Sequence, residues 1–204
     1  MYKGNKGFIL KFGDLAKTLS LEDWKTTSLE DLDSDTEWVA IVTDDAEAYF
    51  LEINAIVTKM KHPKTCFVID LHLCANYKQL QALWDNYVMT DKESVEVLLS
   101  FIHHHLVNHS MISFAIQDFR ELGVPYPFIK ATSAEIGKKV PMDSHANAMC
   151  YGLCFECESD HTTSYMTTFN EALDEINKDT PVLWSIQDST DNVIEAIFFY
   201  ERKF

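Results

Sequence analysis

The chain has 204 residues, 47% hydrophobic and 24% charged, so a buried core is within reach and wholesale disorder is not expected. Its formal net charge of −15 repels phosphate backbones, which sets direct nucleic-acid binding aside. No run approaches the roughly 18 apolar residues that span a bilayer, and the lysine-bearing start is too short in apolar residues for a signal peptide. The expected setting is therefore cytoplasmic, with the five cysteines reduced rather than paired in a disulfide framework.

Charge is uneven along the chain. Residues 1–13 carry three lysines and no acid, residues 14–60 carry 12 acids against 3 bases, residues 61–140 carry 8 of each, and residues 141–204 again carry 12 against 3. Both flanks of a neutral middle are thus strongly acidic, a distribution that attracts a basic partner.

In chain order, GFILKF (7–12) reads as a short strand. SLEDW (20–24) and SLEDL (28–32) each set Ser ahead of Leu-Glu-Asp, an opening that caps a helical turn. EWVAIVT (37–43) is a continuous apolar run suited to a strand buried on both faces. For 45–60 two readings stand, a helix opened by Asp44-x-x-Glu47 and a hairpin through DDAE; the apolar spacing favours the helix. TCFVIDLHLC (65–74) is a second strong strand. Three helices are expected next. The first follows Asn76, with Leu80, Leu83, Trp84, Tyr87 and Val88 on one face. The second opens at Thr90-x-x-Glu93, with Val95, Leu98, Leu99, Ile102 and Leu106 inward. The third runs from Met111 to Leu122 and stops at Gly123. Residues 124–141 read as a connector, the one candidate sub-domain boundary in an otherwise single domain of residues 1–204. AMCYGLCFEC (148–157) is a strand, Thr168-x-x-Glu171 opens a helix, and PVLWSIQ (181–187) and NVIEAIFFYE (192–201) are expected to pair as a hairpin through DSTD. The fold class is α/β or α+β: a mixed sheet with a parallel-like N-terminal βαβ portion, about three central helices and a C-terminal β-α-β-β portion.

Four sets of residues bear on function. Cys150, Cys154 and Cys157 stand at the C-x3-C-x2-C spacing of an iron–sulfur ligand motif. In an extended strand the first two lie about 13 Å apart and the third faces away. Small buried thiols are therefore the expectation, with zinc through His145 or His161 as the open alternative. His105 and His109, four apart on a helix, share a face and suit a shared metal, while His103 and His104 are expected to point outward or sideways. Parallel sheets collect ligands beyond the carboxyl ends of their strands. There Asp44, Asp70 and His72, joined by His105 and His109, make a candidate divalent-metal site for a hydrolase. No glycine-rich phosphate loop or G-x-S-x-G accompanies them.

The fourth set is the acidic segment with its tryptophan: Glu22, Asp23, Trp24, Glu30, Asp31, Asp33 and Asp35. It suits a cationic protein surface. In size, acidity and lack of motifs the chain resembles immunity proteins for secreted nucleases and phage proteins that mimic nucleic-acid charge. The favoured expectation is stoichiometric binding to a basic protein partner without a cofactor. The alternative is the metal-dependent hydrolase.

Overall fold

A computed structural model of the chain describes residues 7–20, 30, 32, 36–60, 65–107 and 111–201. The protein is α/β and forms two compact units, Met1–Lys92 and Glu93–Phe204. The candidate boundary within 124–141 lies inside the second unit. Among the described residues no helix is long and apolar enough to cross a membrane.

The first unit alternates strand and helix: β1 (Gly7–Phe12), α1 (Asp14–Lys17), β2 (Trp38–Thr43), α2 (Phe50–Lys59), β3 (Cys66–Asp70), α3 (Tyr77–Leu83) and β4 (Asn86–Thr90). β1 pairs with β2, β2 with β3 and β3 with β4, all parallel. Every residue of β2, β3 and β4 is buried, as continuous apolar runs in a parallel sheet require. The helical reading of 45–60 holds, with Ile53 and Ile56 of α2 fully buried. The first expected central helix is corrected: it ends at Leu83, and Tyr87 and Val88 sit on β4.

The second unit begins with α4 (Val95–Phe101), which runs into a π-helical turn at Ile102–Val107. There follow α5 (Ile116–Gly123), β5 (Phe128–Glu135), β6 (Ala148–Phe155), α6 (Thr162–Asp174), β7 (Val182–Asp188) and β8 (Val193–Tyr200). The expected inward stripe Val95, Leu98, Leu99, Ile102 and Leu106 is buried throughout. The connector at 124–141 is corrected: it holds β5, antiparallel to β8. The expected hairpin is corrected too. β6 lies between β7 and β8, parallel to the first and antiparallel to the second. A buried central strand gains pairing on both edges, and AMCYGLCF, buried at all eight positions, is apolar enough to take that place. The second unit thus contains a mixed sheet in the order β5-β8-β6-β7.

Alternation along β6 separates two faces. Tyr151 and Phe155 meet Phe169 and Tyr165 of α6 at centroid distances of 5.4 and 5.7 Å. On the opposite face Phe119 of α5 packs on Phe199 at 5.2 Å and on Phe101 of α4 at 6.0 Å. The second unit is therefore a helix–sheet–helix sandwich. Ala148, Cys150, Gly152 and Cys154 belong to the α4 side.

A candidate metal centre in the second unit

Register across the sheet fixes the floor of the site. Gly152 on β6 pairs with Ser185 on β7 and with Glu195 on β8, so three side-chain positions stand in one row. Over the middle of that row lies the ring of His105. A Cβ added at Gly152 would fall 2.2 Å from His105 Nε2, so glycine is what lets the imidazole rest on the strand. Phe101, one turn back on α4, covers the ring at a centroid distance of 5.1 Å. Ser185, His105 and Glu195 are all buried.

The π-helical turn accounts for the second histidine. Consecutive residues on a regular α-helix diverge around the axis, whereas π turns use wider i→i+5 bonding and concentrate at functional sites. Here His104, expected to point outward or sideways, faces Glu195 beside His105, with Nδ1 of His104 3.8 Å from Glu195 Oε2. Cys154 joins from one pleat further along β6. Its Sγ lies 3.5 Å from His105 Nε2 and 3.9 Å from His104 Nδ1. His105 Nε2 is 3.4 Å from Glu195 Oε2. One ligand atom from each of His104, His105, Cys154 and Glu195 thus lies within 4.8 Å of every other. This is the one such convergence of three or more His, Cys, Asp or Glu side chains among the described residues.

The electrostatics are those of an incomplete site. Burial pushes the Glu195 carboxyl up, but the His104 and His105 rings and the Ser100 hydroxyl more than offset this and hold it at about 2. Glu195 is therefore an anion only 3% exposed, and its Oε2 has no aligned hydrogen-bond donor. Burying such an oxygen costs several kcal/mol unless a cation compensates. Burial pushes His105 down, keeping the ring neutral and its nitrogen lone pair available. Burial also opposes charge on His104, yet the Glu195 carboxylate reverses this and raises it. Burial raises the Cys154 thiol, so it becomes a thiolate only against a strong positive charge.

A Cys–His catalytic pair is disfavoured by the same geometry. A triad needs the nucleophile on one ring nitrogen and the acid on the other. Here Cys154 and Glu195 both face Nε2, and Nδ1 is occupied by Ser185 Oγ at 2.8 Å. Two anion-forming groups and two imidazoles aimed at one point are instead the donor set of a borderline transition metal. A tetrahedral ion with bonds of about 2.0–2.3 Å sets its ligand atoms about 3.3–3.8 Å apart. Four of the six separations run from 3.4 to 3.9 Å, and all six are within 4.8 Å. A divalent ion would also balance the charge of one thiolate and one carboxylate, leaving no net charge to bury.

The other sequence candidates lie as follows. Cys150 is fully buried on β6, Cys157 sits in the turn beyond the strand, and His145 and His161 are exposed; of that set only Cys154 joins the centre. Glu30 is exposed, while Glu22, Asp23, Trp24, Asp31, Asp33 and Asp35 lie outside the described residues, as does His109. In the first unit, Asp44 accepts hydrogen bonds from the Leu15 and Ala16 amides at 2.7 and 2.6 Å, capping α1 rather than α2. Asp45 takes the turn before α2, accepting from the Glu47 and Ala48 amides. His72 lies exposed beyond the end of β3.

Asp70 is fully buried. It accepts from Tyr87 Oη at 2.8 Å, from the His72 amide at 3.0 Å and from the Ala46 amide at 3.3 Å. Burial raises its carboxyl above the ordinary value although these three donors pull it down. The folded state therefore holds the Asp70 proton more tightly than the unfolded chain does. The resulting stability is present below the unfolded-state value and is lost as pH rises through the folded one. Asp70→Asn keeps the shape without the charge. Its stability deficit against the parent is expected to be largest in acid and to narrow toward neutral pH, as read by urea unfolding at several pH values. Asp70→Ala strands three donors and is expected to cost about 3 kcal/mol or more.

Glu195 and His104 are the members of this cluster that sequence reasoning missed; Glu195 left the clearer trace. Glu195 is a lone acid inside the apolar run VIEAIFFY, where a charge needs a partner.

No protein-family model matches the chain, and no curated protein matches it. Solved structures match the chain at low identity. A variant FtsZ from M. jannaschii is 8% identical over 81% of this chain and 65% of that one, with a TM-score of 0.48. CetZ from Methanosaeta thermophila strain DSM 6194 is 10% identical over 82% and 63%, with a TM-score of 0.49. TubZ from Bacillus thuringiensis serovar israelensis, in its GDP-form protofilaments, is 14% identical over 82% and 54%, with a TM-score of 0.34. The chain spans less than two thirds of the length of each.

Proposed function

We propose that this protein binds one divalent transition-metal ion of the zinc class through His104, His105, Cys154 and Glu195. The observation that carries the reading is the buried Glu195 Oε2, which faces the imidazoles of His105 and His104 at 3.4 and 3.8 Å without an aligned hydrogen-bond donor, with the Cys154 thiol 3.5 Å from His105 Nε2. Four protein ligands fill a tetrahedron and leave no position for an attacking water. The role is therefore to hold the ion and, through it, to tie the π-helical turn to β6 and β8, rather than to hydrolyse a substrate. The divalent metal of the sequence-based alternative is retained, in a different set of residues. Equilibrium dialysis of the whole chain against Zn2+, followed by elemental analysis, is expected to give one ion per chain. A protein that emerges without metal defeats the reading.

A second reading rests on charge. An excess of nine acids over bases in each of residues 14–60 and 141–204 favours a basic protein partner. Exposed acids such as Glu158, Asp160, Glu171, Asp174 and Glu175 add to that field. Capture of a basic protein should weaken steeply with salt and with neutralisation of Glu22, Asp23, Glu30, Asp31, Asp33 and Asp35; binding indifferent to both changes would count against it.

A further inference from the structure

We infer that Ser185 is the positioning residue of this centre: its hydroxyl pins Nδ1 of His105, so that Nε2 is the nitrogen given to the metal. The inference rests on the metal-binding reading above. Three observations carry it. Ser185 is fully buried in the middle of an otherwise apolar stretch of β7, where a hydroxyl costs free energy unless it is used. Its Oγ lies 2.8 Å from His105 Nδ1, the shortest polar contact of that ring. It also stands in register with Gly152, the residue whose missing Cβ makes room for the imidazole. Ser185 and Gly152 thus fix the ring from two sides, one by a hydrogen bond and one by a gap.

The choice of a hydroxyl has a chemical reason. A neutral imidazole carries one N–H and one lone pair. Without metal, the Nε2–H tautomer has Cys154 Sγ as its hydrogen-bond partner at 3.5 Å, and Nδ1 accepts from Ser185 Oγ–H. With metal on Nε2, the ring proton resides on Nδ1 and is donated to Ser185 Oγ. A serine hydroxyl rotates to serve as donor in the first state and acceptor in the second. A lysine, a carboxylate or an alanine at this position serves one state or neither. Partners of this kind orient metal-bound histidines, and their loss typically weakens metal binding by about 10–100-fold.

The test has two arms. Long-range 1H–15N correlation spectra of the wild-type chain report the ring tautomer directly. His105 is expected as the Nε2–H form without metal and as the Nδ1–H, Nε2-bound form with one equivalent of Zn2+. Binding through Nδ1, or an unchanged His105 ring, overturns the inference. In the second arm, Ser185→Ala is expected to lower Zn2+ affinity about 10–100-fold, in addition to the drop of a few degrees in metal-free melting temperature that a lost buried hydrogen bond brings, and Ser185→Thr to restore much of the affinity. Wild-type affinity in Ser185→Ala overturns the role of Ser185 and leaves the metal reading intact. Absence of Zn2+ binding by the wild type itself overturns the metal reading first. The spectra need no variant, so a Ser185 substitution that fails to fold does not remove the test.

Discussion

Cys154→Ser is expected to lower Zn2+ affinity roughly 100–1,000-fold, while Cys157→Ser leaves it unchanged. The size follows from the thermodynamics of structural zinc. Binding free energies of about 10–16 kcal/mol shared over four ligands assign about 2.5–4 kcal/mol to each. The thiolate is the softest donor and carries half of the compensating negative charge, so its loss falls at the upper end of that range. Cys157 is the control because its Sγ lies by the Phe155 carbonyl, at 3.7 Å, and the Asp188 carboxylate, and takes no part in the convergence. Glu195→Gln separates metal binding from folding. It removes the anion that the ion would neutralise but keeps the side-chain volume in β8. Metal affinity should fall as far as for Cys154→Ser, with the fold retained. Competition titrations with a chelator of known affinity read both effects.

Gly152→Ala is the second large effect, and it acts through sterics alone. The new methyl would lie 2.2 Å from Nε2, 2.3 Å from Cδ2 and 2.9 Å from Cε1 of His105. The ring has no room to retreat, because Phe101 packs on it and Ser185 holds Nδ1. Either the ring leaves the row or the π-helical turn lifts from the sheet. Overpacking of this kind costs about 1–3 kcal/mol. In addition, the imidazole no longer reaches the point shared by Cys154 and Glu195, so Zn2+ affinity is expected to fall with stability. Urea unfolding with and without Zn2+ distinguishes the two parts. Zinc should stabilise the wild type by mass action and have little effect on the variant. A Gly152→Ala protein as stable as wild type and equally zinc-responsive would contradict the packing described for His105.

Much of the fold was legible where one periodicity dominated. WVAIVT and CFVID are uninterrupted apolar runs, and they are the buried parallel strands β2 and β3. The stripe Val95, Leu98, Leu99, Ile102 and Leu106 is the buried side of α4 and the turn after it. Reading failed where a helical period and a strand overlapped. Leu80, Leu83, Trp84, Tyr87 and Val88 fit one helical face, yet the chain leaves the helix after Leu83 and the last two residues are paired in β4. β5 was hidden for the opposite reason. FIKATSAE is half exposed, and its polar alternation resembles a linker until it pairs with β8.

The candidate site was half legible. His105 and Cys154 had each been singled out, but with other partners: Asp44, Asp70, His72 and His109 for one, and the neighbouring cysteines with His145 or His161 for the other. They are 49 residues apart and meet only through the register of β6 and β8 and the wider turn of the π-helix. Helical periodicity assumes an unbroken α-helix, so it sent His104 away from the core that its half-buried ring enters. Glu195 offered the clearest missed clue. An acid midway along a buried strand needs either a partner or an ion, and here the two imidazoles offset its charge without supplying an aligned donor to Oε2.

Anomalous diffraction at the zinc absorption edge, from crystals of the whole chain grown with one equivalent of Zn2+, tests the central claim most directly. The account predicts a single strong peak bounded by His104 Nδ1, His105 Nε2, Cys154 Sγ and Glu195 Oε2. A zinc ion held elsewhere on the chain, or no peak among those four atoms, would contradict it.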